Sequence, residues 1–136
     1  MPTFSPTSIN RLMQCHPQLV ELMTEAIKHV DIGITCGHRN KVEQDDCYAK
    51  GTSKLQFPNS KHNSFPSNAV DFIPFKEGKP AWNDKELVCN IAFFIKGIAA
   101  AKGFKIRLGC DWNGNWKAED EKCDNYCFYL MFLDLK

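Results

Sequence analysis

Several things are missing from this 136-residue sequence, and each absence removes a class of protein. No charge of one sign dominates: the formal net charge is +1, with no block of Lys and Arg. That removes the electrostatic footprint of a nucleic-acid binder or of a protein held on anionic lipid. No run is apolar enough to span a membrane, because Asn90, Lys96 and Lys102 interrupt the best stretch, residues 87–104, which reads as a buried helix. The first ten residues, MPTFSPTSIN, have no basic start and no apolar segment of the secretory kind. Internal repeats and low-complexity tracts are absent, and so is any Cys-x-x-Cys pair. Apolar residues at 43% and charged residues at 24% are ordinary globular values. One domain over residues 1–136 is expected, with one core.

Cysteine, by contrast, is plentiful: Cys15, Cys36, Cys47, Cys89, Cys110, Cys123 and Cys127. An odd count without an export signal points to reduced thiols, most of them small buried apolar residues. Cys123 and Cys127, four apart, with Cys110 upstream, are a weak candidate for a structural zinc knot.

Periodicity orders the chain. Ser8 is a candidate cap for a first helix carrying Ile9, Leu12, Leu19, Leu22, Met23 and Ala26, with a break near His16-Pro17. Ile32–Cys36 is a short strand, and residues 40–49 form a helix ending before Gly51. Residues 51–67, rich in Ser, Asn and Pro, form a surface loop. Residues 69–75 read as a strand, with a turn over 76–79. Asn83 or Asp84 caps a long helix that runs through Ala101 and stops before Gly103. Residues 105–108 form a strand, 112–121 a polar loop and 126–133 a final strand. The order suits an α+β fold with a small, mostly antiparallel sheet packed with helices.

Three segments could carry chemistry. His62 stands in a polar loop, and Asp71 follows nine positions later inside an apolar strand. A carboxylate in such a strand needs a partner. His and Asp together suit zinc, and backbone N–H groups are the alternative partner. Arg39, between a strand and a helix, has a planar fork that could hold a carbonyl or carboxylate, or it could be a surface cation. Asp124 precedes Cys127 by three, so a carboxylate could act as general base beside a soft ligand; a turn Asp before a core strand is the plain alternative.

Taken together, Ser60-Lys61-His62, Ala69-Val70-Asp71, Gly109-Cys110-Asp111-Trp112 and Asp124-Asn125-Tyr126-Cys127 resemble the L-alanyl-D-glutamate and D-alanyl-D-alanine zinc peptidases. Phage endolysins belong to that family, and its members share the hedgehog/DD-peptidase fold. The resemblance covers about residues 34–130. It implies that His62 and Asp71 are zinc ligands and that Arg39 steadies substrate or the developing oxyanion. Ser60 takes a position on the substrate side or behind a ligand, and Asp124 is the catalytic carboxylate. At the last ligand position the family has His, and this sequence has Cys127. The other histidines, His16, His29 and His38, are poor replacements. The resemblance further implies a Zn²⁺ cofactor, a peptidoglycan stem peptide as substrate, and a monomer that waits in the host cytoplasm until release to the cell wall. Two rival readings remain. In one, the fold survives without catalysis and the cleft binds a wall peptide or another ligand. In the other, Cys110, Cys123 and Cys127 hold a structural zinc.

Overall fold

The computed structural model describes residues 2–111, 114–115 and 130–134. Four helices, α1 (Pro6–Leu12), α2 (Pro17–Ala26), α3 (Lys41–Lys50) and α4 (Lys85–Lys102), pack with a sheet of β1 (Ile32–Cys36), β2 (Ala69–Lys76), β3 (Lys79–Pro80), β4 (Ile106–Leu108) and β5 (Leu130–Leu133). The strand order is β1-β2-β5-β4, with β3 folded back on β2, and every pairing is antiparallel. This is the expected α+β architecture.

The first helical segment is divided where the break near His16-Pro17 was expected: Pro17 lacks an N–H and opens α2 at a position where none is needed. The cap of α1 is Ser5, not Ser8: the Ser5 hydroxyl accepts from the Ser8 N–H at 3.1 Å. Ser8 is buried, and its hydroxyl accepts from the Ile34 N–H at 2.9 Å. Arg11 of α1 donates to the Ile34 carbonyl at 3.0 Å. These side chains satisfy backbone groups on β1, an edge strand whose free N–H and C=O would otherwise invite foreign pairing.

The other helix ends follow local chemistry. Asn40 and Glu43 form a reciprocal capping box on α3, and Asp84 caps α4. Gly51 and Gly103 close α3 and α4 in the left-handed conformation that glycine adopts without a Cβ penalty. Leu19, Leu22, Met23 and Ala26 form the buried stripe of α2. Val88, Ile91, Ala92, Ile95 and Ala99 form that of α4. They meet Ile32, Ile34, Val70, Phe72, Leu108 and Met131 from one face of the sheet. Each large apolar side chain so buried contributes about 1.5–3 kcal/mol. The expected loop 51–67 carries one turn of 3₁₀ helix, Lys61–Asn63, which sequence reading did not include. The expected turn over 76–79 narrows to Glu77 and Gly78, both at positive φ, and Lys79 already begins β3. Residues 126–129 of the expected final strand and most of the expected loop 112–121 lie outside the described residues.

A buried ion pair ties α4 to the end of β4. Lys96 Nζ stands 2.8 Å from Asp111 Oδ2, with Asp111 fully buried. Removing either partner of such a pair leaves a charge in a dry site and costs about 3–5 kcal/mol. This explains the Asp of the Gly-x-Asp-Trp motif as an anchor for the chain leaving β4.

Candidate metal and catalytic site

The site lies on the sheet face away from the helical core, and its position follows from one irregularity. In β1, Ile34 pairs with Phe72, but Cys36 pairs with Asp71, so Thr35 is an extra residue in a β-bulge. Simple alternation from Ile32 and Ile34 would turn Cys36 into the core. The bulge reverses that and places Cys36 directly opposite Asp71, on the same face. Cys36 therefore departs from the expectation of a small buried apolar residue: it is half-buried and faces the polar groups of the site.

The 3₁₀ turn delivers the histidine. The Ser60 hydroxyl accepts from the His62 N–H at 3.2 Å, and the Asn63 side chain accepts from the Ser60 N–H at 3.0 Å. Ser60 thus caps the turn that carries His62. His62 is 4% exposed. Its Nδ1 stands 2.7 Å from the Gly37 carbonyl oxygen, which can only accept, so Nδ1 carries the hydrogen. Nε2 is then directed at Asp71 Oδ1, 3.3 Å away. Holding one ring nitrogen on a carbonyl is how proteins orient the other toward a metal. Gly37 has to be glycine, since a Cβ there would collide with the Arg11 carbonyl oxygen.

Arg39 completes the group. Its backbone N–H donates to the His62 carbonyl at 2.9 Å. One guanidinium nitrogen, NH2, lies 3.7 Å from Cys36 Sγ and 3.9 Å from Asp71 Oδ2. The other, NH1, donates to Gln44 Oε1 at 2.9 Å. Gln44 is fully buried and is the hub of this group. Its oxygen also accepts from Asn63 Nδ2 at 3.1 Å, and its nitrogen donates to Ser53 Oγ at 3.0 Å and to the Leu55 carbonyl at 2.6 Å. One amide thus joins α3, the loop after it and the His62 turn.

The structure therefore brings together His62, Asp71 and Arg39, with Ser60 behind His62. Asp124 and Cys127 lie outside the described residues, as does Cys123. The other histidines stand elsewhere: His16 Nδ1 caps α2, His29 pairs with Glu25, and His38 contacts the Ser64 carbonyl and the Phe65 ring. Cys110 is fully buried, and burial pushes its thiol up to about 12; its two partners in the structural-zinc reading, Cys123 and Cys127, lie outside the described residues.

The donors fit zinc. Among the described residues, one donor atom from each of Cys36, His62 and Asp71 lies within 4.8 Å of the others. Imidazole, carboxylate and thiol form a zinc-like set, whereas calcium and magnesium take oxygen ligands. The metal-free site has its own electrostatic signature. Burial by itself would lower the His62 pKa, but the facing Asp71 carboxylate outweighs it and carries the imidazole from 6.5 up to about 10. Cys36, also in contact, acts in the same direction, and the Arg39 guanidinium shares the site. A pKa raised on folding contributes stability that is full below about pH 6.5 and lost as pH rises through about 10. Denaturant unfolding of chelator-treated protein is therefore expected to show stability declining across that window. His62→Gln should flatten the decline; an equal slope in the variant would place its origin elsewhere.

An antiparallel sheet backed by helices thus carries a His-Asp pair beside an Arg on its open face. Over residues 2–128 the chain matches the phage L-alanyl-D-glutamate peptidases, and it belongs to that family. It is 31% identical over 120 residues to the L-alanyl-D-glutamate peptidase of Escherichia phage T5, covering 87% of each chain. Its fold matches the crystal structure of the Serratia marcescens L-Ala D-Glu endopeptidase ChiX with a TM-score of 0.72 at 22% identity, covering 96% of this chain and 90% of that one. No helix among the described residues is long and apolar enough to cross a membrane.

Proposed function

We propose that this protein is a zinc-dependent endopeptidase that cuts the L-alanyl-D-glutamate bond in the stem peptides of peptidoglycan, acting as a monomeric, single-domain endolysin. The observation that carries the reading is the directed pair of His62 Nε2 and Asp71 Oδ1, 3.3 Å apart beside Arg39, in a member of this family. The family supports the endopeptidase rather than the D-alanyl-D-alanine carboxypeptidase alternative.

His62 and Asp71 would hold the zinc, with Cys127 at the family's third position. Zinc supplies a Lewis acid that polarises the scissile carbonyl and makes water a better nucleophile. Arg39, anchored by Gln44, presents its fork to the substrate carbonyl and offsets the negative charge that develops there. Asp124 takes the proton of the attacking water and returns it to the leaving amine of D-glutamate.

The test is release of new amino groups from purified peptidoglycan, with zinc supplied and then chelated. Zinc-dependent release that exposes N-terminal D-glutamate is expected, with Asp124→Asn inactive. No release at saturating zinc would sink the proposal. If Cys127→His then created activity where the natural sequence had none, the natural protein would be a wall-peptide-binding module with a retired site.

A further inference from the structure

The metal ligands proposed above come from the 3₁₀ turn, β2 and the chain before β5. The bulge in β1 adds a donor that they do not include. Resting on the zinc-peptidase reading, we infer that Cys36 is itself a thiolate ligand of the metal, joining His62 and Asp71.

Three observations carry this. The bulge between Ile34 and Cys36 turns Cys36 out of the core face and sets it opposite Asp71. Cys36, His62 and Asp71 together offer donor atoms within 4.8 Å of one another, and the sulfur packs against the imidazole, 3.7 Å from the Nδ1 that the Gly37 carbonyl holds. Arg39 NH2 lies 3.7 Å from that sulfur and 3.9 Å from Asp71 Oδ2, so a cationic group already sits beside both. That guanidinium offsets part of the negative charge that a thiolate and a carboxylate ligand would bring together. Cys36, His62 and Asp71 are three protein ligands, the number a catalytic zinc needs, so on this reading the site does not depend on Cys127. As the metal–sulfur bond forms, the Cys36 S–H proton passes to solvent, and no oxidant or reductant is involved.

The test uses the full chain with Co²⁺ as the probe, because a cobalt–thiolate bond has a charge-transfer absorption that imidazole and carboxylate do not produce. Wild type, Cys36→Ser, Cys127→Ser, the double variant and His62→Ala are titrated. The absorption is expected to persist in Cys127→Ser and to vanish in the double variant. Cys36→Ser should weaken cobalt binding by about tenfold or more, the scale on which even outer partners of metal ligands act. An absorption lost in Cys127→Ser alone, or one that survives in the double variant, would overturn the assignment of Cys36 and leave the zinc reading standing. Wild type that binds no cobalt, or binds it as His62→Ala does, would overturn the zinc reading as well. A second measurement needs no variant: zinc should slow alkylation of Cys36 in wild type, read by peptide mass spectrometry. Equal alkylation with and without zinc would count against ligation in the same way.

Discussion

Gln44→Leu should destabilise this protein by roughly 3 kcal/mol or more, although leucine is close to glutamine in size. The amide is fully buried, and its four hydrogen bonds reach Arg39, Asn63, Ser53 and the Leu55 carbonyl. Leucine fills the volume but removes both the acceptor and the donors. Each buried polar group left without a partner costs about 1–3 kcal/mol, and the Arg39 end is charged, where the cost is higher. Activity should fall further than stability accounts for, because Arg39 loses the contact that aims its fork. Gln44→Glu separates the two effects. It keeps the acceptor toward Arg39 and Asn63 but loses the donors to Ser53 and Leu55, so it should be less stable than wild type while retaining more turnover than Gln44→Leu. Urea unfolding with turnover on folded protein measures both. A Gln44→Leu protein within about 0.5 kcal/mol of wild type, the usual range for surface substitutions, would show that the amide is no hub.

Asp71→Asn is the second large effect. The substitution keeps the shape of a side chain on β2 and removes its charge. Metal affinity should fall beyond the roughly 10–100-fold typical of losing an outer partner of a ligand, and peptide cleavage with it. The same change should show in protein stripped of metal. Against the opposing effect of burial, Asp71 is the main group lifting the His62 imidazole to about 10, with Cys36 acting the same way. Without that carboxylate, burial should return His62 toward the neutral form, and the stability decline between about pH 6.5 and 10 should shrink. Activity, metal content and the pH slope are three separate readouts. An Asp71→Asn protein that binds added zinc as wild type does and keeps its pH slope would remove Asp71 from the site.

How much of this could be read from sequence depends on how far apart the interacting groups lie along the chain. The helix ends at Asn40, Gly51, Asp84 and Gly103 were legible because a cap and the backbone it serves are within a few residues of each other. The strand Ala69–Lys76 announced itself by its apolar run, and Asp71 stood out as the one charge before its last residue. His62 and Arg39 stood out by residue type and place, the family resemblance gave them roles and added Ser60, and the structure sets His62 and Arg39 beside Asp71 with Ser60 behind His62. The cap at Ser5 was missed because Ser8, equally plausible locally, is needed by Ile34, 26 residues away.

The sequence by itself determined the secondary elements, the core stripes and the residue types able to bind a metal or a carboxylate, since these rest on local periodicity and on side-chain chemistry. Only the tertiary structure decided which groups meet. The register slip at Thr35 turned Cys36 from the core to the site, and the close passage of Gly37 over Arg11 allowed its carbonyl to fix the His62 tautomer. The burial of Gln44 joined Arg39 to the His62 turn, and that of Asp111 paired it with Lys96. Each of these depends on strand pairing or packing between distant segments, and no local pattern in the chain encodes them.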